Sequence, residues 1–312
     1  MNNHTELLGG VVVCINVQAE KLSKNGHNQG RQLYKCHACG RQFLEGRAID
    51  PQDVLEEYLH GKQTYAQLSE RYGCSARTIQ RYLDKAKVSR KDTFSPVAND
   101  VMDTTYFGRK FGVMVFKDTL DGAILLTKYV KTETVREYVD GIASIATRGI
   151  SIQSIICDGR KGVVDAFRDI PVQICQFHQV KTVTFYLTKK PKIPAAIALR
   201  ALSLRLVGST RSGFAKELEE WHEKWKDTLN ERSVNAETGK SRYTHKRLRS
   251  ACFSLVRNMP HLFVFEDWKE LDIPNTTNSL DGLFSDLKNK LRNHNGLSEK
   301  RKKKLINGFF KA

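Results

Sequence analysis

Two aspartates near the middle of the chain, Asp103 and Asp158, each follow apolar residues, in VMDTTYFG and in IQSIICDG. A carboxylate buried inside a strand is costly, so such residues are expected at exposed strand ends. Adjacent strands lie about 4.8 Å apart, so two such ends can reach one divalent cation through hard oxygen ligands. Asp158 is followed by Gly159, a common turn pair, and a turn is the competing reading there. Softer donors stand elsewhere. Cys36 and Cys39 form a C-x2-C pair with Cys14 upstream, and the run Cys175-Gln176-Phe177-His178 carries a thiol and an imidazole.

The elements that must position the two aspartates follow from periodicity. VMDTTYFG, FGVMVFKD and GAILLTKYV read as strands, with turn residues at 119–122. TVREYVDGIASIA reads as a helix, because Val135, Tyr138, Val139, Ile142 and Ile145 fall near helical spacing. IQSIICDG is a fourth strand and GVVDAF a short amphipathic segment. VQICQFH is a last strand ending on Cys175 and His178. The order is β-β-β-α-β-α-β.

That order, with MDTTYFG, ICDGRKG, CQFHQ and TTNSLDGLFSDLK in sequence, resembles the ribonuclease H-like core of DDE transposases, in particular the Mutator-like group of insertion-sequence enzymes. The resemblance covers close to the whole chain. It implies an α/β ribonuclease H-like catalytic domain over residues 98–312, with a helical insertion at about 180–270. It also implies a DNA transposase that binds element ends, cleaves DNA and joins a freed 3′-hydroxyl to target DNA. Asp281 stands at the third acid, where the group usually carries glutamate. Asp103 would bridge two divalent ions, Mg²⁺ or Mn²⁺, with Asp158 and Asp281 each holding one side. Cys175 and His178 match the group's C-x2-H signature and would support the fold near the site or position DNA. The shorter aspartate leaves a second reading, a catalytically inactive DNA-binding descendant. A nuclease of the same fold that cuts without joining is a third. Pairing two ends implies a homodimer or a higher assembly on DNA.

The N-terminal residues 1–47 read as a zinc-ribbon-like segment. A structural zinc ion wants four tetrahedral ligands, yet the upstream half reads Cys14-Ile15-Asn16-Val17 and lacks one. His27 or His37 could complete the set, and a ribbon decayed by mutation is the alternative. Residues 48–90 read as an all-α helix-turn-helix. PQDVLEEYLHG and TYAQLSERYG are helical, and Ser75 is a good N-cap for ARTIQRYLDKAK. The second helix of such a pair enters the major groove, which makes Ser75, Arg77, Thr78, Gln80 and Arg81 the expected DNA contacts. A polar linker at 89–98 follows.

Beyond His178 the pattern is helical, with expected helices at 197–206, 214–229 and 242–259. Trp221 and Trp225, at helical spacing, read as a packed face rather than a base-stacking device. A further helix is expected at 278–292, with Leu280, Leu283, Phe284 and Leu287 buried. The basic tail SEKRKKKLINGFFK could bind phosphates or be solvated.

Composition points the same way. Fifty-one Lys and Arg against 34 Asp and Glu leave a net charge of +17, which favours a polyanion such as double-stranded DNA. No apolar run is long enough to span a bilayer, and residues 7–17 lack the basic leader of a signal peptide. Seven cysteines without a secretion signal read as reduced thiols, so the cytoplasm is the expected place, and the resemblance to insertion-sequence enzymes implies a bacterial one with the nucleoid.

Overall fold

The structure, a computed structural model, describes the chain apart from residues 1–4, 9–10, 15–16, 18, 29–30, 45–48, 60, 62, 89–93, 295 and 312. It divides into two units, Met1–Ser89 with Lys290–Phe309 and Arg90–Asn289 with Phe310–Ala312.

The first unit opens with β1 (Thr5–Leu8) and β2 (Val11–Cys14), an antiparallel pair. Strands β3 (Leu22–Asn28), β4 (Arg31–Cys36) and β5 (Gln42–Leu44) form a separate antiparallel sheet. The apolar core here is small: Cys14, Cys36 and Phe43 are its buried residues. Three helices follow, α1 (Pro51–Leu59), α2 (Tyr65–Arg71) and α3 (Ala76–Lys85). A capping box starts α2: the Thr64 hydroxyl accepts from the Gln67 amide, and the Gln67 side chain accepts from the Thr64 amide. Gly73, at φ +59°, turns the chain after α2 in a conformation that side chains disfavour, and the Ser75 hydroxyl caps α3.

The second unit is built on a mixed sheet with flanking helices. Its strands are β6 (Val97–Phe107), β7 (Phe111–Asp118), β8 (Ile124–Val130), β9 (Ser151–Cys157) and β10 (Val172–Ile174), in spatial order β8-β7-β6-β9-β10. The first three form an antiparallel meander, while β9 runs parallel to β6, and β10 to β9. Helix α4 (Val135–Ala146) crosses from β8 to β9, and α5 (Val163–Ala166) from β9 to β10. Gly141 lets α4 lie close on the sheet, since a Cβ there would come within 2.1 Å of the Phe116 ring. The core beneath α4 gathers Met102, Met114, Phe116, Tyr138, Ile142 and Ile155.

Some expected boundaries shift. β6 begins at Val97, inside the expected linker, and continues past Asp103 to Phe107. The linker residues Lys91 and Asp92 lie outside the described residues. The last strand stops at Ile174, because Cys175 caps a helix, α6 (Gln176–Leu187), that carries His178. Helices α7 (Pro194–Leu204), α8 (Arg211–Lys224) and α9 (Lys226–Asn230) come next, then a hairpin of β11 (Arg232–Val234) and β12 (Ser241–Tyr243). Arg242 therefore lies on a strand, and the basic helix α10 runs from Lys246 to Leu262, followed by α11 (Val264–Asp267). These helices share a core that includes Leu199, Phe214, Trp221, Leu255 and Phe263. Trp221 is buried, and its indole N–H donates to the Ala195 carbonyl at 3.1 Å.

Helix α12 (Asn278–Asn293) buries Leu280, Phe284 and Leu287, while Leu283 is half-buried. The last helix, α13 (Glu299–Lys311), differs from expectation in its company. The sequence reading keeps the tail with the sheet domain, but Lys290–Phe309 groups with the N-terminal residues. Arg301 donates two hydrogen bonds to the Asp84 carboxylate, at 3.2 and 2.8 Å, and Lys304 donates to the Asp84 carbonyl. Gly308 packs on Leu59, and a Cβ there would come within 2.7 Å of its side chain. No helix among the described residues is long and apolar enough to cross a membrane.

Candidate active site

The sheet register explains why Asp103 and Asp158 are neighbours. Val101 lies opposite Ile156 in the parallel β6–β9 pair; Asp103 stands two residues further along β6, and Asp158 two residues beyond Ile156, just past the end of β9. β9 ends at Cys157, so β6 loses its neighbour on that side where Asp103 begins to project. Gly159, at φ +82°, then turns the chain away; a Cβ there would meet Ile174 at 2.9 Å. The Asp158 carboxylate accepts the Arg160 amide at 2.9 Å, so the same residue shapes the turn and faces the site.

The third carboxylate arrives from far along the chain. Gln176 and Asn275 are clamped by two bonds of 3.0 Å, the Gln176 amide to the Asn275 carbonyl and the Asn275 side-chain amide to the Gln176 side-chain carbonyl. The amide and hydroxyl of buried Thr277 donate to the Cys175 sulfur at 3.3 and 3.4 Å. Its hydroxyl also lies 3.2 Å from His178 Nδ1, and its carbonyl accepts the Asp281 amide at 3.1 Å. The TTN lead-in thus fixes the start of α12 to the start of α6, which sets the reach of Asp281.

The result is a compact group: ligand atoms of Asp103, His178 and Asp281 all lie within 4.8 Å of one another. Asp158 stands beside it. Burial pushes the Asp103 carboxyl up to about 7; the Thr104 amide and His178 oppose this, and the charges of Asp158 and Asp281 add to it. The hydrogen bond with Cys175 leads in holding the His178 imidazole above its ordinary value. For Cys175 burial works against the thiolate, yet hydrogen bonds from His178 and Thr277 bring the thiol below its ordinary value. Asp281 Oδ2 is buried without a hydrogen-bond partner among the described residues. Crowded carboxylates with an orphaned oxygen are the donor set a hard divalent cation satisfies.

The sequence reading gave His178 a supporting role near the site, without requiring it to touch the metals, and did not single out Lys181. His178 stands among the carboxylates. Lys181 Nζ lies 3.8 Å from Asp281 Oδ1 and 4.5 Å from the centre of the Phe177 ring. The signal was spacing: His178, Lys181, Thr182 and Phe185 recur at i, i+3, i+4 and i+7, and with Asp158 they line one open pocket of about 260 Å³.

A second cluster lies in the first unit. The sulfurs of Cys14, Cys36 and Cys39 are within 4.8 Å of one another, with Cys14 and Cys39 at 3.6 Å. Tetrahedral zinc with bonds of about 2.3 Å spaces its sulfurs by about 3.8 Å, so three corners fit. His27 and His37 do not join the group. Val17 holds the place of a fourth ligand, its amide donating to the Cys14 carbonyl at 3.2 Å, while Ile15 and Asn16 lie outside the described residues.

On α3, Arg77 and Arg81 are exposed and without a carboxylate partner among the described residues. Ser75 and Thr78 are occupied in capping, their hydroxyls 3.0 Å apart. Gln80 is half-buried and accepts from Arg301 at 3.1 Å, so it faces α13 rather than open surface.

No protein-family model matches the chain, and no curated protein does. Among solved structures, an intasome chain of simian T-cell lymphotropic virus in complex with PP2A regulatory subunit B56 gamma matches at 14% identity and TM-score 0.23, over 66% of this chain and 65% of that one. This chain thus spans less than two thirds of the intasome chain's length. The HTLV-2 integrase catalytic core domain in complex with magnesium, in its dimeric form, matches at 19% identity and TM-score 0.22, over 49% of this chain and 97% of that one. The Mos1 strand transfer complex matches at 12% identity and TM-score 0.19, over 69% and 78%.

Proposed function

We propose that this chain is a DNA transposase of the DDE type, with an all-aspartate site made by Asp103, Asp158 and Asp281. The observation that carries the reading is the convergence of Asp103, His178 and Asp281 within 4.8 Å, beside Asp158. Three carboxylates from β6, the end of β9 and α12 have no structural reason to crowd together, and they repel one another. A divalent cation held there, Mg²⁺ or Mn²⁺, supplies Lewis-acid activation of an attacking oxygen and neutralises charge on a leaving one.

The protein's own groups do the rest. Asp103, Asp158 and Asp281 would hold the ion, with His178 a fourth donor held in place through Thr277. Lys181, a cation beside Asp281, would meet a substrate phosphate at the rim. The exposed Arg77 and Arg81 would read or hold duplex DNA in the major groove, and the three-cysteine cluster would hold zinc to stiffen a segment with little core. The Mutator-like assignment, two-ended DNA assemblies of two or more copies and a bacterial nucleoid setting belong to this reading.

A second reading is favoured by the Lys181–Asp281 ion pair. A lysine at the third carboxylate partly satisfies it without metal, as in a protein that binds element ends but no longer cuts. The test is cleavage and strand transfer on labelled DNA with terminal inverted repeats, for wild type, Asp103→Ala and Asp281→Glu, with Mg²⁺, Mn²⁺ or chelator. Metal-dependent cutting and joining that Asp103→Ala abolishes supports the transposase. Binding without cutting, with activity appearing only in Asp281→Glu, supports the inactive descendant.

A further inference from the structure

A cavity of about 660 Å³ lies between the end of α6, the segment after it, the β11–β12 hairpin and the start of α10. Its volume is in the range of sites for an organic ligand. Lys190, Lys192, Arg242 and Lys246 line it, and among the described residues none has a carboxylate partner. The placement of these cations is costly in itself. The first turn of α10 has no acidic residue and begins Lys246-Arg247, although the positive end of a helix dipole favours anions. Thr188, also on the lining, is held at φ +69°, a conformation that non-glycine residues seldom adopt. The charges and the strained turn together describe a seat shaped for an anion.

Aromatic groups connect this seat to the carboxylates. Tyr186 lines both the basic cavity and the pocket of Asp158, His178 and Lys181. Phe185, on the latter pocket, is 74% exposed, an unusual cost for a phenyl ring on a well-packed helix. Its carbonyl accepts a hydrogen bond from Arg247 at 2.5 Å, so the ring's backbone is tied to the cavity wall. An exposed ring beside unpaired cations suits a base with its phosphates, and a base offers its face only when unpaired from duplex.

We propose that this cavity and the adjoining carboxylate pocket together seat the unpaired nucleotides of a DNA end, the phosphates on Lys190, Lys192, Arg242 and Lys246 of the cavity and the base stacked on Phe185 of the neighbouring pocket. The proposal deepens the reading of the carboxylate centre, since it gives a strand leaving that centre a place to go. Its test runs in chelator, where no cleavage occurs, so it stands or falls separately from that reading.

Binding of a duplex with a short 3′ overhang is compared with binding of the same duplex blunt, by fluorescence anisotropy at several salt concentrations. A 2-aminopurine at the first unpaired position reports stacking. Wild type is expected to bind the overhang roughly tenfold more tightly than the blunt duplex. Phe185→Ala should erase that preference and the fluorescence change while leaving the salt dependence in place. Arg242→Ser with Lys246→Ser should weaken overhang binding and lower the slope of log affinity against log salt by about 1.4. All three residues are exposed, so the variants should fold. Equal affinity for the two duplexes in wild type, or a preference that survives Phe185→Ala, would overturn the proposal. So would an overhang affinity and salt slope unchanged in the double variant.

Discussion

The carboxylate cluster of the second unit and the cysteine cluster of the first each bring candidate metal ligands within 4.8 Å, and their construction is opposite. The carboxylates and His178 come from β6, the turn after β9, α6 and α12, and of these β6, β9 and α6 are held by two extensive apolar cores. The carboxylates repel one another beside a framework held by other contacts. The three thiols come from β2, the end of β4 and the turn after it, where the buried core among the described residues is Cys14, Cys36 and Phe43. There a metal would supply what the core lacks. Metal at the first site should therefore govern chemistry, and at the second, folding.

The largest expected effect breaks the comparison on the chemical side. Asp103→Asn should reduce metal-dependent DNA cleavage on the order of a thousandfold, as loss of a central charge-stabilising group does elsewhere. Without metal its melting temperature should not fall, because the substitution removes a buried, mutually repelled charge. A coupled loss of fold, read by circular dichroism, would place Asp103 in the framework instead.

Asp100, on the same strand, sharpens the point. It is fully buried opposite Asp118, and its oxygens lack a well-formed hydrogen bond. Burial, reinforced by Asp118, drives its carboxyl well above the ordinary range, with only the Lys117 amide opposing. The folded chain thus keeps a proton that the unfolded chain releases above about pH 3.9. Wild-type stability should then fall as pH rises from there towards the folded value. Asp100→Asn should be the more stable chain at neutral pH, the gap widening by about 1.4 kcal/mol per pH unit across that window and closing in acid. Urea titrations at acid and neutral pH measure it; a constant gap would contradict the buried-proton account.

On the cysteine side, zinc at about a hundred times its dissociation constant should stabilise the first unit by about 2.7 kcal/mol, lost in Cys36→Ser. Differential scanning calorimetry should show the transition of the second unit unmoved. Val17→Cys offers the reverse change, a fourth thiolate, and should tighten zinc in competition with a chromogenic chelator. The smallest effect is expected on α3. Arg77→Ala and Arg81→Ala should each weaken duplex binding about tenfold at moderate salt, through lost base or phosphate contacts. Gln80→Ala should have little effect on binding, since Gln80 is engaged with Arg301.

Much of this was legible in the residues. The apolar strand runs, the Asp158-Gly159 turn and the buried face of α12 follow from local periodicity and turn chemistry, which a sequence carries directly. The convergence of His178 and Lys181 on the carboxylates depends on where α6 starts, and that start is set by Cys175 bonding to Thr277, 102 residues away. The pairing of α13 with Asp84 and Leu59 has the same non-local origin. The rule that strand carboxylates sit at exposed ends also fails, at Asp100 and at Asp118, which ends β7 and is buried. Asp103 lies within β6 where its neighbour β9 has ended, whereas Asp100, with neighbours on both sides, is buried outright.

Asp103, Asp158, Asp281 and His178 are proposed to form one divalent-metal centre. Calorimetric titration of Mn²⁺ into the full chain, with Mg²⁺ as competitor, tests it without any DNA. The account predicts saturable binding that Mg²⁺ displaces, abolished in Asp103→Asn and preserved in Cys36→Ser. Binding that persists in Asp103→Asn, or disappears only in Cys36→Ser, would contradict it.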